Sequence, residues 1–104
     1  MGFLDLFRPK WKHSDPNVRL EAIKDFSGDD DLPRLTQVAR HDSDSRVRRI
    51  AIKKISDPDV LLDVAAHDPD DAIRRDAAEK AADLLLSAAL SADRAGEAEA
   101  AIRG

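Results

Sequence analysis

Three passages of this 104-residue chain are variants of one another: HSDPNVRLEAI from His13, HDSDSRVRRIAI from His41 and HDPDDAIRRDAA from His67. Aligned on an apolar-Arg pair, they place Val18-Arg19, Val47-Arg48 and Ile73-Arg74 at offsets of 29 and then 26 residues. Asp15, Asp44 and Asp70 each stand three residues before the apolar member, and Ala22, Ala51 and Ala77 four after it. The segments between also correspond, LTQVARHD (35–42) with LLDVAAHD (61–68). A period of this length is the mark of a stacked-repeat architecture, in which one unit cannot bury its own apolar face and neighbouring copies supply the rest of the core.

Each unit reads as helical. Asp15, Asp44 and Asp70 are placed as N-caps, accepting from the orphan N–H groups of a first turn, and Pro16 stands at the first helical position, where its missing N–H is harmless. Helices are therefore expected from about residues 16, 45 and 71, the first stopping at Gly28 and the second near Ser56, ahead of another cap and proline at Asp57-Pro58. Leu35, Val38 and Ala39, and Leu61, Val64 and Ala65, form apolar stripes at spacings of three and four, predicting helices over 32–41 and 58–67. No Gly or Pro follows Asp71 until Gly96, so one long helix is expected through AAEKAADLLLSAAL. The division expected is an N-terminal capping segment (1–12), repeats (13–91) and a polar Ala-rich tail (92–104), frayed or leading into a longer parent chain.

Composition agrees with an all-α chain: Gly and Pro are few (4 and 5), and Cys and Tyr are absent. Without Cys there is no disulfide framework, thiolate zinc site or cysteine nucleophile, which fits a reducing, cytoplasmic setting. No apolar run is long enough to span a bilayer. Charge is uneven: residues 1–54 carry 12 Lys/Arg against 9 Asp/Glu, residues 55–104 carry 5 against 12. A polar partner would be oriented by that asymmetry.

The order of helix, Asp-containing turn and helix bearing Val-Arg-x-x-Ala resembles the HEAT-repeat family, in the short bacterial form D-P-x-V-R-x-x-A. The match is closest in DPNVRLEAI and DSRVRRIAI and extends over about residues 13–83. It departs where Ser45 and Asp71 replace Pro, where Ile73 replaces Val, and in the first unit, which has no evident first helix. The resemblance implies a right-handed α-solenoid of about two and a half helix pairs, with a structural ladder of Asp15, Arg19, Asp44, Arg48, Asp70 and Arg74. Relatives of this kind bind proteins or nucleic acids, and a few repeat folds host a bilin lyase or a DNA glycosylase.

The residues themselves support the structural role of the arginines. On a helical wheel Arg19 falls between Phe26 and Ile23, Arg48 between Ile55 and Ile52, and Arg74 between Ala81 and Ala78. A guanidinium in an apolar arc needs an acceptor, and the nearest repeated one is the capping Asp of its own or an adjacent unit. His41 and His67 end their helices, where a donor suits the exposed carbonyls. Stacked units are spaced too widely for equivalent histidines to share one zinc, so no metal site is expected. Asp29-Asp30-Asp31 lacks the alternation and distal Glu of a calcium loop and reads as a solvated turn leading into a cap.

No phosphate-binding glycine loop, G-x-S-x-G or H-E-x-x-H is present, so neither enzyme nor cofactor is expected. What remains toward solvent is a basic strip, Arg46, Arg49 and Lys53 with Arg75 at the angle of Arg49, and with Arg40 and Lys54 as neighbours. Arg46 lies in a first helical turn, where the dipole disfavours a cation, so helix stability does not account for it. The leading expectation is a protein-binding module, part of a larger bacterial protein, meeting an acidic partner or another segment of its parent. The alternative is a nucleic-acid-binding module using the same strip, against which stand the overall acidity and the lack of exposed aromatics. Phe3, Leu4, Leu6, Phe7 and Trp11 are expected to cover the open apolar end of the stack, the alternatives being a docked partner or a lipid surface beside Arg8, Lys10 and Lys12.

Overall fold

A computed structural model describes residues 9–103, with side chains described through residue 92. The described residues form a 3-10 turn at Lys10–Lys12 and five α-helices and contain no strand: α1 (Pro16–Lys24), α2 (Leu32–His41), α3 (Ser45–Lys54), α4 (Pro58–His67) and α5 (Asp71–Arg103). The helix starts follow from capping. Asp15, Asp44 and Asp57 accept from the backbone N–H two residues on at 2.8 to 2.9 Å, and Asp70 accepts from both Ala72 and Ile73. Each gives an orphan donor of the first turn a partner within the chain.

The ends differ more from expectation. α1 closes at Lys24, four residues before Gly28, and finishes with tight bonds from Asp25 N to Ala22 O and from Phe26 N to Ile23 O. Gly28 is required for a tertiary reason: a Cβ there would lie 2.5 Å from the carbonyl oxygen of Lys54, the last residue of α3. α5 continues through Gly96 to Arg103, 33 residues or about 50 Å of helix, across the tail boundary at 92.

Like packs on like. α1 lies against α3 and α3 against α5, while α2 lies against α4; within each pair α2 packs on α3 and α4 on α5. The seam between these rows is the core: Ile23, Leu35, Val47, Ile52, Ile55, Leu61 and Ile73 are all almost fully buried, with Ala39, Ala51, Ala77 and Ala81 allowing close helix approach. At the N-terminal end Trp11 is half-buried against this core and meets Phe26 edge-on, ring centroids 6.4 Å apart. Of the residues expected to cover an open end, Trp11 packs on the core in this way; Phe3, Leu4, Leu6 and Phe7 lie outside the described residues.

Candidate functional site

The repeated arginines are tied up between units. Arg19 grips Asp42 with Nε and Nη2 at 2.9 and 3.0 Å, and its Nη1 donates to the carbonyl of His13 at 2.8 Å. Arg48 repeats this one unit on: Nε and Nη2 on Asp68 at 2.9 and 3.3 Å, Nη1 on the carbonyl of Asp42 at 2.9 Å. Each guanidinium therefore fastens the turn before its own helix to the turn of the next pair, in the bidentate geometry that favours Arg over Lys.

The acceptors are not those expected. The carboxylates of Asp15, Asp44 and Asp70 are occupied by the first turns of their own helices, so they serve as caps and leave the inter-unit contacts to Asp42 and Asp68, the C-caps of α2 and α4. The signal was present in the aligned segments LTQVARHD and LLDVAAHD, whose last residue lies two before each cap. Asp42 and Asp68 also accept the N–H of Asp44 and Asp70 at 2.9 Å, so each aspartate serves guanidinium and turn together. In the first unit His13 takes that place, its Nδ1 accepting the N–H of Asp15 at 3.0 Å. His13 is thus the counterpart of Asp42 and Asp68, and not of His41 and His67.

At the far end Arg74 still donates Nη1 to the carbonyl of Asp68 at 2.7 Å. No aspartate of a following pair meets its other nitrogens among the described residues; Nη2 pairs instead with Asp71 on its own helix.

The expected basic strip is interleaved with acid. Arg46 turns back on its own cap, Nε and Nη2 meeting Asp44 at 3.2 and 2.9 Å. That contact, with the backbone N–H of Arg46, pulls the Asp44 carboxyl from 3.8 down to about 2, and the carboxylate raises Arg46 in turn. Arg46 therefore has a local partner, the carboxylate of Asp44, at a helix end that would otherwise disfavour a cation. Arg49 pairs with Asp76 of α5 at 2.8 to 2.9 Å. Arg40 belongs to the other row, where it meets Asp63 of α4 at 2.8 Å, and Lys54 donates to the carbonyl of Phe26 at 3.1 Å. Lys53 and Arg75 stay exposed. The face of α3 is thus cationic, and the adjoining groove toward α5 is lined by Asp76, Glu79 and Asp83 as well as by Arg49, Lys53 and Lys80. Lys80 donates to the carbonyls of Ile52 and Lys53 at 3.1 and 2.6 Å, and burial pushes its ammonium down from the ordinary lysine range.

A second cleft, about 300 Å³ between α2 and α4, is lined by Arg40, His41, Asp63, Val64 and His67. His67 places Nδ1 3.0 Å from the carbonyl of Asp63 and 3.2 Å from its carboxylate. No hydroxyl or thiol lines this cleft, so the His-Asp pair has no nucleophile beside it to activate. Among the described residues no three side chains form a metal-holding group, and no helix is long and apolar enough to cross a membrane.

No family model, curated protein or solved structure matches this chain.

Proposed function

We propose that the chain is a noncatalytic protein-binding module, made of HEAT-like helix pairs stacked as a short right-handed solenoid and working in the cytoplasm, as a scaffold or as part of a larger bacterial protein. The carrying observation is the pair of crossings Arg19–Asp42 and Arg48–Asp68, which use the repeated charges to join one helix pair to the next. Like-on-like packing of α1, α3 and α5, and of α2 and α4, supports the same arrangement.

The partner surface on this reading is the solvent face of α3 with the start of α5, where Arg46, Arg49, Lys53 and Arg75 meet an acidic protein segment. Arg49 and Asp76 are both more than a third exposed, so an incoming carboxylate can exchange with Asp76 at little cost. Asp76, Glu79 and Asp83 alongside disfavour a continuous phosphate backbone, which would follow the groove and meet them.

Fluorescence anisotropy with labelled oligoglutamate and with a labelled generic DNA duplex, at low and near-physiological salt, tests the reading. Oligoglutamate should bind at low salt, weaken as salt rises, and be lost in a Lys53→Glu/Arg75→Glu variant of unchanged helicity. Duplex binding that disappears in that variant would replace the reading with the nucleic-acid one. Unaltered oligoglutamate affinity in the variant would remove the site.

A further inference from the structure

Among the described residues, one end of the arginine ladder is unfilled. Arg19 and Arg48 each hold the aspartate that closes the first helix of the next pair. Arg74, 26 residues after Arg48, keeps the same bond to its own turn, yet among the described residues its remaining nitrogens meet Asp71, an exposed neighbour on its own helix. The Arg74 side chain is 38% exposed, against 9% for Arg48.

Around it, positions that are buried in the middle unit lie open in the last one. Ala39 and Ile52 are buried; their counterparts, Ala65 on α4 and Ala78 on α5, are half-buried and exposed. Leu62 stands where Thr36 stands in α2 and is 46% exposed, and Leu85, 47% exposed, follows Arg74 and Ala78 along one face of α5 at spacings of four and seven. The edge thus combines small residues, two large apolar side chains and a guanidinium without an inter-unit carboxylate.

We propose that this edge takes up an α-helix of a partner protein that ends on an aspartate, docked as α4 docks on α2 with its closing aspartate on the arginine of α3. The argument is continuity: the same contact is already made twice within the chain, with the same chemistry on the receiving side. A second copy stacked head-to-tail would bring His13, an imidazole, to the place that Asp42 and Asp68 hold in the other units. The inference rests on the protein-binding reading but uses a different surface from the face of α3.

The probe is a labelled, helix-stapled peptide with the sequence of residues 57–70, whose aspartate at the place of Asp68 supplies the carboxylate, added to the intact chain and followed by anisotropy. The peptide should bind, Arg74→Gln should weaken it about tenfold, and Asp68→Asn in the peptide should weaken it by a like factor. Combining the two changes should add little to either alone, the mark of a direct pair. Lys53→Glu should leave peptide affinity unchanged while disabling the α3 face, so failure of one surface is distinguishable from failure of the other. Absence of peptide binding, or equal binding by wild type and Arg74→Gln, overturns the proposal. Self-association of the chain in sedimentation that is abolished by Arg74→Gln overturns it too, since the occupant would then be a second copy.

Discussion

Arg48 and Asp68 face each other across two helix pairs, Nε to Oδ2 at 2.9 Å, with side chains only 9% and 3% exposed. The carboxylate also receives the N–H of Asp70, while the guanidinium holds the carbonyl of Asp42, so α3 and the two turns that follow α2 and α4 meet at one ion pair. A buried pair of this kind adds little over a well-packed apolar substitute, but removing one partner leaves a charge stranded in the core. Asp68→Ala is therefore expected to cost about 3 to 5 kcal/mol in urea unfolding followed by helical circular dichroism. Asp70→Ala, which removes a cap alone, should cost about 1 kcal/mol. Equal costs would mean that the crossing carries no special weight.

How much of this was legible in the sequence depends on how far apart the deciding residues lie. The starts at Pro16, Ser45 and Asp71 and the spans 32–41 and 58–67 could be read because caps, N1 prolines and apolar spacing act within a turn or two. The burial of Arg19 and Arg48 could be read from the wheel, because it is a property of one helix. Their acceptors could not: choosing Asp42 over Asp44 depends on which carboxylates the first turns have already occupied. The counter-ions of the expected strip escaped for a similar reason, since Asp76 comes beside Arg49 only when α5 packs against α3.

Asp44 offers a test of the local contact that wheel angles missed. Its carboxyl lies near 2 in the fold against an ordinary 3.8, so its contribution is present in full above about pH 4 and is lost as pH falls toward 2. Carbon-detected NMR titration should find Asp44 still ionised near pH 3. Arg46→Gln should return the midpoint toward 3.8, and a midpoint indifferent to that change would show that the cap alone holds the proton off.

Gly28 has no left-handed backbone to justify it, since no glycine among the described residues has positive φ. Its constraint is the 2.5 Å that a Cβ would leave to the Lys54 carbonyl oxygen, a backbone atom that cannot swing aside. Gly28→Ala should thus destabilise by about 1 to 3 kcal/mol, as overpacking does, despite the entropy it removes from the unfolded chain. Stabilisation on that substitution would show that the α1–α2 loop can move away from α3.

Lys54 and Lys80, 26 residues apart, perform one task in successive units: each reaches back to carbonyls at the end of the preceding helix of its row. Lys54 donates to Phe26 O just beyond α1, and Lys80 to Ile52 O and Lys53 O at the end of α3. Carbonyls at a helix end lack the regular intrahelical ladder, and Ile52 O has Ile55 N at 3.2 Å besides Lys80, so a half-buried ammonium adds a donor there and faces the negative end of the dipole. Burial works against the charge on Lys80, which leaves the net gain modest. Lys54→Ala and Lys80→Ala should each cost about 1 kcal/mol in chemical unfolding. Lys53→Ala, on the exposed face of the same helix, should stay within about 0.5 kcal/mol of wild type. If Lys53→Ala proved as costly as its neighbour, the contribution would be general helix propensity or net charge, and the repeated lysine would lose its place among the contacts that join one helix pair to the next.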